Sequence, residues 1–293
     1  MRISDSMRLD AIVRQQGHLK EQYANASRVA ATGAKIGAPG DNPVGAAQSV
    51  RLQGALDRID AFRESIKTPK GDLDQAEGAL ATAGDLFARA GEIALQGANG
   101  SLSATDRASL ASEVDALKTQ LVDAANTKGQ AGYLFGGTST ATAAMDAAGN
   151  FLGNAADRTA EIAPGVSAIT SVSGALAFSA SGGRNVAADL DALRTALISN
   201  NPAAIAATVS TLDASRRQIL AARTDAGLKS NRLDTADAAH QQTQLSLAAQ
   251  RHAVSDADPT TAYSNLIALQ GAVEQAISVA RTSLSTMSIN KFG

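Results

Sequence analysis

The chain has 293 residues, a net charge of −2 and neither cysteine nor tryptophan. Its length allows one elongated domain or two to three compact ones, and the lack of cysteine excludes disulfides and thiolate metal sites. A near-neutral charge without any basic run argues against nucleic acid and anionic membranes as partners.

Hydrophobic residues make up 44% of the chain, but aromatic residues only 3%. Much of the apolar content is alanine, which suits close helix–helix packing better than a globular enzyme core. The first twenty residues contain no signal-peptide core, since their longest apolar run is Ala11-Ile12-Val13. No run of eighteen apolar residues occurs. We therefore expect no membrane insertion and no cleaved signal peptide, while export by a specialised route stays open.

Residues 8 to 30 carry a weak helical stripe. Its positions recur at alternating steps of three and four, as one face of a helix requires: Leu9, Ile12, Gln16, Leu19, Tyr23, Ala26 and Ala30. The glutamine and the alanines weaken this stripe, so the isolated helix is expected to be marginal in water. It needs a partner helix.

Residues 33 to 45 form a loop rich in glycine and proline. Gly33 fits the position just after a helix, and Pro39-Gly40 and Asn42-Pro43 are turn signals. A phosphate-binding loop would need a Gly-Lys-Ser/Thr ending and a preceding strand, and this segment has neither. The pattern favours a fixed joint between two helices.

Helical periodicity resumes at Val44 and continues to about residue 125. Thr68-Pro69 interrupts the pattern, and because an interior proline removes a backbone hydrogen bond, we predict a kink or short break there. Ser103 and Asp106 form a capping-box pattern, which predicts that another helix starts at this point.

The character of the sequence changes between residues 131 and 183. Glycines recur between short β-prone runs, and turn residues every ~8–12 positions predict a small β-rich inserted domain. Its ~50 residues are few for an independent core. Asn185 then caps a helix that ends at Asn200-Asn201-Pro202, and a long stripe beginning at Ile205 continues almost without a break to Asp256.

The last long segment, Thr260 to Met287, carries the strongest stripe. Its apolar positions are Leu266, Leu269, Val273, Ile277, Ala280, Leu284 and Met287. Asp258-Pro259 supplies a helix cap and a first-turn proline. A helix of ~26 residues is about 40 Å long, so it needs another long helix beside it. Residues 8 to 30 are the predicted partner.

The predicted fold is mainly α, an elongated bundle of long helices formed by both chain ends with a small β-rich inserted domain. We assign residues 1–45 and 255–293 to a terminal coiled-coil assembly region, residues 46–130 and 184–254 to a long-helix bundle, and residues 131–183 to the insertion. The predicted assembly interface consists of residues from the two facing stripes: Leu9, Ile12, Leu19, Tyr23, Leu266, Leu269, Val273, Ile277 and Leu284.

The histidines give no metal-binding pattern. His240 and His252 lie twelve positions apart, which on a helix is more than three turns and too far to share one metal ion. Neither they nor His18 stand near a carboxylate cluster, and we expect all three at solvated helix positions. The sequence predicts no metal and no cofactor.

The acidic pairs give no catalytic pattern either. Asp72/Asp74 and Asp256/Asp258 are expected at turns or helix starts, where carboxylates meet the helix dipole favourably. General acid–base chemistry would need a pocket that raises one pKa, and no pattern indicates one. No Gly-x-Ser-x-Gly elbow stands on a strand–helix turn. We therefore predict that the chain is not an enzyme.

Several motifs resemble the bacterial flagellin family, and they follow one another along essentially the whole chain. None of them is catalytic. They are Met1-Arg2-Ile3-Ser4, Ala31-Thr32-Gly33-Ala34-Lys35-Ile36, Gly40-Asp41-Asn42-Pro43-Val44-Gly45-Ala46-Ala47, Gly132-Tyr133-Leu134-Phe135-Gly136-Gly137-Thr138, Ile162-Ala163-Pro164-Gly165, Asn231-Arg232-Leu233 and the terminal helix after Asp256-Ala257-Asp258.

The resemblance implies a hook-associated structural subunit of the flagellum, forming the junction between hook and filament. It implies export in an unfolded state through the flagellar type III apparatus, with an export chaperone on the carboxy-terminal helix. The implied partners in the assembly are further copies of the chain, a second hook-associated protein and flagellin.

Three features depart from the family pattern. Asn42 stands where a second aspartate is common, Pro69 interrupts a helix that is usually continuous, and the tail from Ser288 to Gly293 lacks the usual leucine-rich ending. A short filament flagellin is therefore an alternative. A cytoplasmic helical scaffold protein is the alternative from another class.

Overall fold

Helices dominate the computed structural model, which describes residues 2–179 and 184–292. The helices in these ranges are α1 (Arg2–Thr32), α2 (Pro43–Gly97), α3 (Ala104–Ala125), α4 (Gly174–Phe178), α5 (Val186–Ile198), α6 (Pro202–Ser255) and α7 (Pro259–Phe292). The strands are β1 (Lys128–Gly129), β2 (Gly132–Tyr133), β3 (Thr159–Ala163) and β4 (Val166–Ile169). The prediction of a mainly α fold is confirmed.

The chain divides into two compact units. The terminal unit consists of Met1–Arg58 and Thr243–Gly293, and the central unit of Ile59–Gln242. Helices α1 and α7 therefore lie in the terminal unit, whereas α3, α4, α5 and the four strands lie in the central unit. Both ends of the sequence contribute to the same unit.

A continuous hydrophobic core lies in the central unit, and helices supply most of it. Phe87 of α2, Leu121 of α3, Leu190 of α5 and Leu212 of α6 are each exposed by 1% or less. The apolar positions of these helices recur every three or four residues, which places them on one face and allows that face to be buried. Alanines fill the remaining space, so this core forms with few aromatic rings.

The predicted helix starts at Ser103 and Asn185 are confirmed. Ser103 Oγ accepts a hydrogen bond from Asp106 N at 3.2 Å, and Asp106 Oδ2 accepts one from Ser103 N at 3.1 Å. This reciprocal pair satisfies two amide groups that the first turn of α3 leaves without helical partners. Asn185 Oδ1 likewise accepts from Ala188 N at 3.2 Å at the start of α5.

Of the predicted kink or short break at Pro69, the break is absent, because α2 continues through this residue as one helix. A proline in a helix interior costs a hydrogen bond and crowds the preceding turn. Here the side chains on both sides of it, Ile66 and Leu73, are each only 1% exposed in the core of the central unit. Burial of an apolar face on each side supplies the stability that the helix loses locally.

The glycine-rich segment forms a small β-containing region, as expected. Strands β1 and β2 pair antiparallel, and so do β3 and β4, with a register shift between Glu161 and Ala163. Two fully buried rings, Phe135 and Phe178, meet edge to face with centroids 5.1 Å apart. A Cβ on Gly174 would lie 2.1 Å from the Phe135 carbonyl oxygen, so only glycine fits there. Most of the described segment is turns and loops.

His240 is not at a solvated position, which corrects the expectation for this histidine. It is 9% exposed, and its Nε2 lies 2.5 Å from the Ile162 carbonyl oxygen of β3. Its ring stacks on Phe62 with centroids 5.7 Å apart. His18 and His252 are exposed. The difference arises because a distant segment, β3, covers this part of α6.

The acidic pair Asp72 and Asp74 lies inside α2, and not at a turn or helix start as expected. Asp72 is buried and accepts a hydrogen bond from Gln130 N at 2.9 Å, which fastens the loop after β1 to the helix. Asp74 accepts from Ser230 Oγ at 2.7 Å and from Lys70 Nζ at 3.0 Å. Each carboxylate therefore has a partner from a distant segment and does not meet a helix N-terminus.

Candidate assembly surface

Helices α1 and α7 of the terminal unit lie side by side and run in opposite directions. Residues Gln22 to Val29 line one groove with Ala262 to Leu269, and Ile12 to Leu19 line a second groove with Ala272 to Val279. In the second groove, Gln16 Nε2 donates to the Ala276 carbonyl oxygen at 3.3 Å. The structure therefore brings together the two segments that carry the predicted stripes.

The predicted interface residues are only partly covered by this pairing. Ile277 is 36% exposed. The side chains of Leu9 and Leu284 lie outside the part of the chain that the structure describes. The six others are half-buried: Ile12, Leu19, Tyr23, Leu266, Leu269 and Val273. Pairing of the two helices within one chain leaves apolar area on both stripes accessible.

The described part of the terminal unit has almost no core of its own. Among its described side chains, Leu56 is the only large apolar one that is buried. The other buried side chains there are the alanines Ala262 and Ala280, which offer little area. Apolar burial contributes roughly 25 cal/mol per Å², so half-buried stripes realise only part of the stabilisation that they could provide. A neighbouring molecule that covers them would supply the remainder.

Further apolar side chains of the terminal unit are exposed to solvent. Tyr263 and Ile267, which share one face of α7, are 56% and 70% exposed. On α1, Met7 and Val13 are 66% and 61% exposed. Sequence reasoning missed these residues because it followed a single stripe. The available signal was Ile267 directly after Leu266, which makes α7 apolar on more than one face.

The joint between α1 and α2 is a hydrogen-bonded loop, as the glycine and proline pattern indicates. Gly33 ends α1 with φ +68°, a conformation that side chains rarely adopt. Asp41 Oδ2 accepts from Gly37 N at 2.8 Å, from Ala38 N at 3.0 Å and from Arg28 Nη2 at 2.9 Å. One carboxylate therefore closes the loop onto the end of α1.

The joint between α6 and α7 lies against this loop. Lys35 N donates to the Ser255 carbonyl oxygen at 2.7 Å, and Ala257 N donates to the Gly33 carbonyl oxygen at 2.9 Å. These bonds form a short antiparallel bridge, which holds the beginning of α7 beside the end of α1. The bridge explains why the two terminal helices pair although they stand at opposite ends of the sequence.

Helix α7 starts at Pro259, where the sequence predicts it. Asp258 Oδ2 accepts from Thr261 Oγ1 at 2.7 Å, and Asp258 Oδ1 accepts from Thr260 N at 3.1 Å. The Thr261 hydroxyl is the main reason why the pKa of Asp258 lies below its usual range. Just before it, the Ser255 hydroxyl and then His252 lower the pKa of Asp256. Both carboxylates of this pair are therefore tied to the joint.

The Asp41 loop is expected to open in acid. Hydrogen bonds from Gly37 N and Ala38 N, with the charge of Arg28, hold the pKa of Asp41 below the ordinary 3.8. A lowered folded-state pKa means that the stabilisation is complete above the ordinary value and is lost as the pH falls through the lowered one. The amide proton shifts of Gly37 and Ala38, followed by NMR from about pH 6 to pH 2, should change together with a midpoint below 3.8.

The matched control for this titration is Asp41→Asn, which keeps the shape of the side chain but cannot ionise. The variant should show no such midpoint, because its amide group stays neutral throughout. A wild-type midpoint at or above the ordinary aspartate value would contradict the closed loop.

Neither a metal site nor a membrane span is found in residues 2–179 and 184–292. No group of three histidine or acidic side chains there could hold a metal ion. No helix in these ranges combines the length and apolarity that a membrane crossing requires.

The chain is similar in sequence to known flagellar proteins. The family model for the bacterial flagellin N-terminal helical region matches residues 4–140. Flagellar hook-associated protein 3 of Escherichia coli is 30% identical over 159 residues, which cover 53% of this chain and only 50% of that protein. Its counterpart in Salmonella typhimurium is 27% identical over 306 residues, and this alignment covers 94% of each chain.

A solved structure is also similar to this chain. It belongs to a protein from Vibrio parahaemolyticus that is described as flagellar hook-associated. This structure is 26% identical to the present chain, superposes with a TM-score of 0.67, and covers 73% of this chain and 99% of its own. The fold is thus shared over the matched part of the chain. The chain is thus similar to the bacterial flagellin N-terminal helical region over residues 4–140 and to flagellar hook-associated proteins over most of its length.

Proposed function

We propose that this chain is a structural subunit of the bacterial flagellum that forms the junction between hook and filament. The observation that carries the proposal is the terminal unit, in which two long apolar helices pair but bury almost no large side chain among those described. A surface of this kind is stable when neighbouring molecules cover it. Similarity to a hook-associated protein over 94% of the chain supports the position in the flagellum.

The assembly interface consists of the paired stripes of α1 and α7. The residues proposed to contact neighbouring molecules are Leu9, Ile12, Leu19, Tyr23, Leu266, Leu269, Val273, Ile277 and Leu284. Residues 1–45 and 255–293 form the assembly region, residues 46–130 and 184–254 the long-helix bundle, and residues 131–183 the inserted domain. Neighbours need only add apolar contact to surfaces that the pairing of α1 and α7 has already brought together.

The partners are other copies of the chain, a second hook-associated protein on one side and flagellin on the other. The chain leaves the cell through the flagellar type III apparatus without a cleaved signal peptide. An export chaperone holds α7 before assembly, because its apolar faces would otherwise be open to aggregation. The role of the chain is structural and involves no catalysis.

Location of the protein on intact flagella tests this proposal. A short epitope inserted at the exposed Pro164-Gly165 turn of the β3–β4 hairpin leaves the terminal unit unchanged. Immunogold labelling should give one narrow zone between hook and filament, and a deletion strain should lose its stably attached filaments. Label along the whole filament would instead identify a filament flagellin. Label confined to the cytoplasm would identify a scaffold protein, and the untagged strain controls for background.

A further inference from the structure

Four glycines lie inside the long helices of the central unit where nothing in the described chain requires them. They are Gly71, Gly78 and Gly91 of α2 and Gly227 of α6. A Cβ atom built on any of them meets no heavy atom within 4 Å, and none has a positive φ. Alanine would therefore fit all four positions without strain.

A fifth helical glycine, Gly97, is required by the packing around it. A Cβ on Gly97 would lie 2.6 Å from Leu197 Cδ2 and 3.4 Å from Ile205 Cγ2. This residue permits close packing against α5 and α6, and a larger side chain would disturb the core. The four open glycines have no such neighbour, so packing in the described chain does not account for them.

Each open glycine lowers the stability of its helix. Relative to alanine, a glycine in a helix interior reduces the folding equilibrium constant roughly two- to five-fold, because it loses more backbone freedom on folding. The four together reduce it roughly 16- to 600-fold, since distant sites act almost additively. Folding equilibrium constants of domains are on the order of 10³ to 10⁸. The four glycines thus lower the folding equilibrium constant by a large fraction of the range that is typical of a stable domain.

We propose that these four glycines keep the central unit easy to unfold, so that the chain can pass through a narrow export channel as an unfolded polymer. The inference rests on the proposed function, which requires export before assembly. It deepens that function by naming residues of the central unit that serve transport. Gly17, Gly54 and Gly271 of the terminal unit share the same open surroundings.

Denaturation of the purified full chain is the first test. The variant with Gly71, Gly78, Gly91 and Gly227 all changed to alanine should unfold at a urea concentration higher by about 1 M. Gly97→Ala, in which the added methyl group meets Leu197, should give no increase. An unchanged midpoint in the four-alanine variant would overturn the proposal, because the glycines would then not limit stability.

Secretion by a flagellated strain that lacks the natural gene is the second test. Export of the four-alanine variant into the medium should fall several-fold, at equal amounts of protein in the cell. A compensated variant adds Leu212→Ala, which removes a side chain that is 1% exposed and returns the stability to about its original value. Its export should recover.

The compensated variant separates transport from assembly. If the glycines instead allow close approach by a neighbouring molecule, the compensated variant would still fail, because its four alanine side chains remain. Export that stays low in the compensated variant would therefore overturn the proposal. Undiminished export of the four-alanine variant would overturn it as well. If the unaltered chain is itself never exported, the proposed function fails and so does the transport role. The urea midpoints would then still show whether the glycines lower stability.

Discussion

Replacement of Val273 by aspartate is expected to reduce incorporation of the chain into the flagellum at least about tenfold. Val273 is half-buried on the α7 stripe, and a carboxylate without a partner costs several kcal/mol in an apolar contact. The terminal unit has little to offset this loss, since Leu56 is its only large apolar side chain buried in the described part. Quantitative immunoblotting of sheared, sedimented flagella measures incorporation directly.

The matched control is Val273→Ile, which keeps an apolar, β-branched side chain at the same position and should assemble normally. Thermal unfolding of both purified variants should show an unchanged transition for the central unit, Ile59–Gln242, whose core contains none of the α7 side chains. Normal incorporation of the aspartate variant would show that the α7 stripe is not an assembly surface.

Replacement of Arg107 by alanine is expected to destabilise the central unit by about 3–5 kcal/mol, because it removes four hydrogen bonds that a charged group donates. Arg107 belongs to the first turns of α3 and is 3% exposed, and its guanidinium contacts the loop between α2 and α3. It donates to the carbonyl oxygens of Gly97, Leu102 and Asn99 at 2.8, 2.9 and 2.7 Å, and to Asn200 Oδ1 at 2.5 Å. Alanine would leave these acceptors without their donor, and buried acceptors without donors are costly.

Differential scanning calorimetry checks this prediction. At roughly 2–4 °C per kcal/mol for a unit of this size, the melting temperature should fall by about 6–20 °C. Arg89→Ala is the control, because Arg89 forms ion pairs with Glu92 and Glu113 at the surface and such pairs contribute less than about 1 kcal/mol. Equal shifts for the two variants would contradict the role assigned to the buried guanidinium.

The sequence predicts those helix starts that are determined by neighbouring residues. Asp258 and Pro259 mark the start of α7, and Ser103 with Asp106 marks that of α3, because the residues that satisfy a first turn stand next to it. At Pro69 the sequence indicates the local cost of a proline inside a helix, but the burial that offsets this cost comes from segments far along the chain.

The same distinction applies to the candidate site. The two stripes were predicted from their spacing, and the structure brings their segments together around Gln16 and Ala276. The exposed face of α7 with Tyr263 and Ile267 was missed, since period alone does not reveal how much of a helix its partner covers. The buried position of His240 depends on β3, a contact that no local pattern contains.

The pairing of α1 with α7 also links assembly to complete delivery of the chain. The hydrogen bond between Gln16 and Ala276 joins residues 260 positions apart, so it forms only after everything between them has arrived. Closing so long a loop carries an entropic cost, and we expect the terminal unit to form after the central one. A chain that breaks off before α7 leaves α1 without its antiparallel partner. Under the proposed function, a growing flagellum thereby rejects truncated molecules without a separate inspection step.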